Sequence, residues 1–175
     1  MTKFARIVLQ DCKHAIEKHT NELQAEDFRI SWISVITLLR AIGHVLQKVD
    51  AQQSPATKKA VDEKWEELQR SKPEPYIFWN FIEGERNRFL KNYEHGVVRN
   101  MAFDTLMPGV RVSIDLANAR GGRFAASNSE IKSYISSGRF EGVNEQKVAW
   151  MAYDWWNEYL DEIDLLTQHY QEEKQ

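Results

Sequence analysis

The chain has 175 residues, 42% of them hydrophobic and 28% charged, which is enough to bury the core of one domain and too short for two of ordinary size. Its 23 basic and 26 acidic residues leave a net charge of −3, which gives no overall pull toward nucleic acid, and Cys12, the single cysteine, excludes an intrachain disulfide or a zinc knuckle. The most apolar stretch, Trp32 to Val49, carries Arg40, His44 and Lys48, so no membrane partner is expected, and an amphipathic start without a signal-peptide core points to the cytoplasm.

The pattern predicts an all-α fold in a single domain, 1–175: a helical-bundle core over 1–100, an arm or loop over 101–126, and C-terminal helices over 127–175. Phe4, Ile7, Val8, Cys12, Ala15, Ile16, His19 and Leu23 recur at steps of three and four, laying an apolar stripe on a first helix of five to six turns. Asp27 or Ser31 is positioned to cap a second helix, whose face is Trp32, Val35, Ile36, Leu39, Ile42, Leu46 and Val49, with Gly43 allowing close approach of a neighbour. Ser54-Pro55 opens a short charged helix with Ala60, Val61, Trp65 and Leu68 inward, ended by Pro73 and Pro75.

A fourth helix is expected from Tyr76 to Tyr93, with Ile77, Phe78, Phe81, Ile82, Phe89 and Tyr93 on one side and Glu85 in the middle of it. Buried there, Glu85 needs a cation, which Arg40 or His44 from the second helix would supply. After Gly96 the helical period fades, and Val110, Val112, Ile114 and Leu116 alternate with polar residues, as in a short strand, a hairpin arm or an ordered loop. Ser127-Asn128-Ser129 then starts a short helix through Ile131, Tyr134 and Ile135. A turn at Gly138 to Gly142 follows, and Asn144 caps a long last helix facing inward through Val148, Met151, Trp155, Tyr159, Ile163 and Leu166, broadened by Trp156 and Leu160.

Charge is segregated along the chain. Arg86 to Arg123 holds seven basic residues against three acidic, whereas from Glu141 onward two basic face nine acidic. The glycine- and arginine-rich segment from Ala102 to Phe124 is therefore expected to be the most mobile internal segment and to carry any anion contacts.

Several active sites are absent from the sequence: no Gly-x-Ser-x-Gly elbow, no phosphate loop, no Gly-x-Gly-x-x-Gly. Asp11-x-x-His14 is the nearest approach to the paired Glu-x-x-His motifs of a di-iron bundle, so no metal and no cofactor are expected. The segment Glu85-Arg86-Asn87-Arg88-Phe89-Leu90-Lys91-Asn92-Tyr93-Glu94-His95 resembles the signature of HEPN domains. These form an all-helical family with ribonuclease toxins and antiphage effectors, in which an arginine and a polar follower precede a histidine by four to six positions. Arg86-Asn87 matches the first element and Tyr93 the tyrosine some of these toxins add, with Lys91 where the histidine would stand. A second alignment pairs Arg88 with His95 and puts Phe89 in the polar position.

The resemblance spans about the first 100 residues and implies that Arg86 stabilises phosphate charge, Tyr93 positions substrate, and Lys91 or His95 moves the proton, with Glu85, Asn87 and Arg88 beside them. Arginine suits phosphate through bidentate contacts, and histidine suits proton transfer because it titrates near neutrality. Positions 86 and 91 diverge by about 140° on a regular helix, while 86 and 93 nearly eclipse, so a composite site needs a kink or a facing subunit. The resemblance thus implies a HEPN-like protein of a bacterial or phage conflict (toxin and defence) system, cleaving or binding RNA as a homodimer, with an antitoxin-like protein as a further partner. The alternative from the residues alone is a non-catalytic helical dimerisation or scaffold protein, in which Arg86 and Arg88 reach solvent or pair with Glu83 and Glu85 and Tyr93 finishes the core stripe.

Overall fold

The computed structural model describes residues 1–104, 111–115 and 129–173. Among these residues five helices, α1 (Lys3–Lys18), α2 (Ala25–Lys48), α3 (Pro55–Arg70), α4 (Glu83–Asn92) and α5 (Glu145–Glu172), make the fold mostly helical. A 3₁₀ turn, Asp50–Gln52, links α2 to α3, and a π-helical turn, Ile77–Ile82, runs directly into α4. Strands β1 (Val97–Asp104), β2 (Arg111–Asp115) and β3 (Ser129–Ile135) form an antiparallel sheet in the order β2-β1-β3. Met101 is the centre of the register, opposite Ile114 on one side and Ile131 on the other.

The sheet corrects the all-α expectation in two places. Helical periodicity at Ile131, Tyr134 and Ile135 suggests a helix, yet 129–135 is extended and pairs with β1, so among the described residues α5 is the one helix that follows. Strand β1 begins at Val97 and runs across residue 100. The alternation at Val112 and Ile114 is that of a strand, β2. Of the segment from Ala102 to Phe124, residues 105–110 and 116–124 lie outside the described residues, as do Ser127 and Asn128.

The core lies among the helices, α1 packing on α2 and α5, and α3 on α5. α1 stops at Lys18, about a turn short of the predicted end, and buries Ala5, Leu9, Cys12 and Ile16, leaving Phe4 and Ile7 exposed. α2 starts at Ala25, with Gln24 rather than Asp27 or Ser31 preceding it, and buries Phe28, Trp32, Val35, Ile36, Leu39, Ile42 and Leu46. By length and composition α2 is long and apolar enough to cross a bilayer, but those side chains pack on the neighbouring elements as in a core helix. Each is worth about 1.5 to 3 kcal/mol when fully buried. Burial also pushes the Cys12 thiol up to about 12, which keeps it protonated.

The caps at Ser54 and Asn144 form as their sequences imply: Ser54 Oγ accepts from the Thr57 amide at 3.1 Å, and Asn144 Oδ1 from the Lys147 amide at 3.0 Å. α5 is centred on Ala152, Trp156, Tyr159, Leu160 and Ile163, so its inner face is rotated relative to the predicted one and Met151 is exposed.

α1 has no cap of its own. The fully buried Asp50 carboxylate accepts from the amides of Phe4 (3.0 Å) and Ala5 (2.8 Å), placing a negative charge at the positive end of the helix. Asp50→Ala is expected to cost about 1 to 2 kcal/mol in urea denaturation, the upper range for a lost cap. Asn should recover part of that loss, and an unchanged midpoint for the alanine variant would mean α1 does not need the contact.

Candidate functional site

The segment from Glu85 to His95 divides between two environments. Helix α4 is regular from Glu83 to Asn92, and the π-helical turn precedes Arg86 instead of falling between Arg86 and Lys91. The kink that would bring those two together is therefore not in the helix. Arg86 and Lys91 are exposed, and Arg86 donates to Asn87 Oδ1 at 2.9 Å. Tyr93 ends the helix at φ 55°, two-thirds exposed, its ring 5.2 Å from that of Phe89; it does not finish the core stripe. Arg86, Leu90 and Tyr93, at helical steps of four and three, bring a cation, an apolar side chain and an aromatic ring to the outer surface.

Glu85 turns the other way and is buried, as its place on the apolar side of the helix requires. Its cation is Arg88, one turn along the same helix, with Nη1 3.3 Å from Oε1; Arg40 and His44 are not its partners. Oε2 accepts from the Gly96 amide at 3.0 Å. A side chain at position 96 would have its Cβ inside van der Waals contact of both the carboxylate and the Arg88 guanidinium, so only glycine lets the backbone approach this closely. Burial raises the Glu85 carboxyl above its usual range, while Arg88 and the Gly96 amide pull it back. Arg88 also donates to Ser137 Oγ at 3.3 Å, which ties α4 to the turn after β3.

His95, in the link between α4 and β1, is half-buried and separated in environment from Arg86, Lys91 and Tyr93; among the described residues no hydrogen bond or ion pair joins the four. Its neighbours in charge are Arg29 on α2 and Arg99 on β1. Burial, with those two charges added, lowers the imidazole below its ordinary value, and the Val97 backbone pulls the other way.

Arg99 is almost fully buried. It lies over the Phe28 ring at 4.1 Å, and its Nη2 donates to the carbonyls of Asn21 (2.8 Å) and Leu23 (3.0 Å), holding the loop between α1 and α2. Burial pulls the guanidinium below the usual arginine value, and Glu145 partly offsets this.

A second buried polar group adjoins it. His19, immediately after α1, is fully buried, between the rings of Phe28 (4.3 Å) and Trp32 (5.2 Å). Its Nδ1 is 3.1 Å from Ser31 Oγ and its Nε2 3.4 Å from Glu145 Oε1. Ser133 Oγ lies 2.7 Å from the same carboxylate oxygen and 2.5 Å from Asn21 Oδ1, and donates to one of them at a time. Gln146 Nε2 donates to the carbonyls of Ile16, in the last turn of α1, and of His19 just past its end, at 3.0 and 2.9 Å. These bonds lock the end of α1, strand β3 and the start of α5 together.

Sequence reasoning missed Arg29, Arg99, His19 and Glu145. Arg99 counts in the sequence as one more surface cation, and nothing local pairs it with Arg29, seventy residues away in the chain. Among the described residues no group of three or more histidine, cysteine, aspartate or glutamate side chains converges as a metal site. A gap lined by Gly43, Val61, Trp65, Phe78, Trp156 and Tyr159 holds only about 10 Å³, too little for more than a single water. Comparison of the chain with protein-family models, with curated proteins and with solved structures finds no match.

Proposed function

We propose that the chain is a HEPN-like protein of a bacterial or phage conflict system, built on a four-helix core and acting in the cytoplasm, and that it binds single-stranded RNA without cleaving it. The setting rests on the resemblance of Arg86-Asn87 and Tyr93 to the family signature. The mutual packing of α1, α2, α3 and α5 supports the helical core.

One observation carries the choice of binding over cleavage: Arg86, Leu90 and Tyr93 are all exposed, while His95, the best proton-transfer group in the segment, is half-buried and feels the charges of Arg29 and Arg99. An exposed tyrosine offers a platform on which a base stacks, and Arg86 with Lys91 offers charge to the adjoining phosphates. Neither role needs a group that moves a proton.

Fluorescence anisotropy with a labelled single-stranded RNA tests this directly. Tyr93→Ala is expected to weaken binding by about 1 to 3 kcal/mol, the value of one stacked base. Arg86→Ala should flatten the dependence on salt by roughly one phosphate contact while changing folding stability by less than about 0.5 kcal/mol. Metal-free cleavage of the RNA by the pure protein would reinstate a nuclease. Failure to bind, with light scattering showing a dimer, would favour the scaffold reading, in which the same surface meets a second copy or an antitoxin-like protein.

A further inference from the structure

Tyr93 closes α4 in the left-handed region, at φ 55° and ψ 32°, and among the described residues it is the one non-glycine residue with a positive φ. A helix that ends this way usually does so on glycine, because a side chain is strained there. Tyrosine gains little from the fold in return. Its ring is two-thirds exposed, and among the described residues it meets one other ring, that of Phe89, at 5.2 Å.

What imposes the left-handed turn is a clamp on Gly96, three residues on. The Gly96 amide donates to Glu85 Oε2 at 3.0 Å, and its carbonyl accepts from the Ser136 amide at 2.8 Å, so the backbone is held on both sides. Glu85 lies in the first turn of α4, and on a regular helix its backbone is about 12 Å behind that of Tyr93 along the axis. Three residues reach at most about 10 to 11 Å. For Gly96 to return to Glu85, the chain must therefore reverse as soon as the helix ends, and a left-handed residue directly after Asn92 makes that reversal. Arg88, with Nη1 3.3 Å from Glu85 Oε1, keeps the carboxylate in place, and a Cβ at position 96 would fall in the space of both groups.

We propose that Glu85 and Gly96 are positioning residues for the RNA-binding surface: their bond holds Tyr93 in its left-handed conformation, so that the exposed ring is fixed before a base stacks on it. This rests on the reading of Tyr93 as a platform for single-stranded RNA. A platform fixed in advance loses less binding free energy to ordering, and affinity falls in proportion to the fraction of chains in which it is not held. Glu85 itself is 5% exposed and acts through Tyr93 without touching the RNA.

The test uses the whole chain carrying Glu85→Leu, which fills the buried space but offers Gly96 no acceptor, with Glu85→Met in its place if the leucine variant does not fold. Anisotropy with a labelled single-stranded RNA should show binding weakened about fivefold or more, though by no more than Tyr93→Ala weakens it. Glu85→Gln, which keeps an acceptor oxygen, should bind more tightly than Glu85→Leu. In a Tyr93→Ala background Glu85→Leu should have no further effect, whereas a residue that merely supports the fold would weaken binding in both backgrounds. Thermal melting gives a reading free of RNA: Tyr93→Gly should melt above Tyr93→Ala, and the gap should narrow once Glu85→Leu releases the turn. Equal effects of Glu85→Leu with and without the Tyr93 ring, Glu85→Gln binding no more tightly than Glu85→Leu, or alanine melting as high as glycine at position 93 each overturn the positioning role and leave the RNA reading in place. Wild-type protein that binds no RNA overturns the RNA reading itself, and with it the purpose assigned to the clamp.

Discussion

Replacing Trp156 by alanine is expected to cost about 3 to 5 kcal/mol, the largest effect of any single substitution considered, because the indole fills the junction of α2, the π-helical turn and α5. It is 2% exposed and meets the rings of Phe78 (5.8 Å), Trp155 (4.8 Å) and Tyr159 (5.7 Å). Its far edge rests on Gly43, where an added Cβ would fall 2.8 Å from Cη2. Gly43→Ala should therefore destabilise by about 1 to 3 kcal/mol despite alanine's better helix propensity. Urea denaturation of a double-mutant cycle checks both claims: in a Trp156→Phe background the smaller ring leaves room, and the cost of Gly43→Ala should disappear. Equal costs in the two backgrounds would mean that the indole is not what crowds position 43.

Arg88→Ala should lower stability at neutral pH by about 2 to 3 kcal/mol, toward the low end for breaking a buried pair because the guanidinium is itself about a third exposed. The loss comes from Glu85, left buried as an anion with the Gly96 amide as its remaining donor. The dependence on pH has a definite sign. A carboxyl raised in the folded state above its unfolded value, near 4.5, contributes most to stability below that value and loses the contribution as pH rises through the folded one. Removing Arg88 raises the folded value further, so the deficit of Arg88→Ala should shrink on acidification. Glu85→Gln in the same background should recover stability at neutral pH. A deficit that stayed constant with pH would show that Arg88 matters through packing or Ser137, not through Glu85.

The helices were the legible part of this fold because their signals are local. Ser54-Pro55 and Asn144 announce their caps, and the periodic face from Trp32 to Leu46 marks the helix that buries most. Strands β1 and β3 were hidden by a single polar residue in the buried register of each. In β1 the inward positions are Val97, Arg99 and Met101, and in β3 Ser133 and Ile135; with arginine and serine in the buried register, the two-residue alternation of apolar side chains disappears from the sequence. Ile131, Tyr134 and Ile135 then mimic a helical step.

The candidate site divides in the same way. That Glu85 would be buried beside a cation follows from its place on the apolar side of α4, but which arginine answers it does not: Arg88 is three residues away on the same helix, and the Gly96 amide arrives only because the chain turns back after Tyr93. That Arg99 would be buried holding the Asn21 and Leu23 carbonyls depends on β1 lying beside the loop after α1, a tertiary fact with no trace in local spacing.

α1 is held from both sides by parts of the chain at very different distances. Its contacts with α2 span a short loop, whereas Thr2 reaches Asp164 across 162 positions, with its amide at 2.7 Å and its hydroxyl at 2.8 Å, and Arg6 bonds Asp161 and Asp164 on the same helix. The consequence is an order of assembly. The α1–α2 hairpin closes early at small entropic cost, but its second apolar side, together with that of α3, stays uncovered until α5 has been synthesised. During translation the nascent chain therefore exposes half a core until α5 emerges, and α5 is the element that covers it.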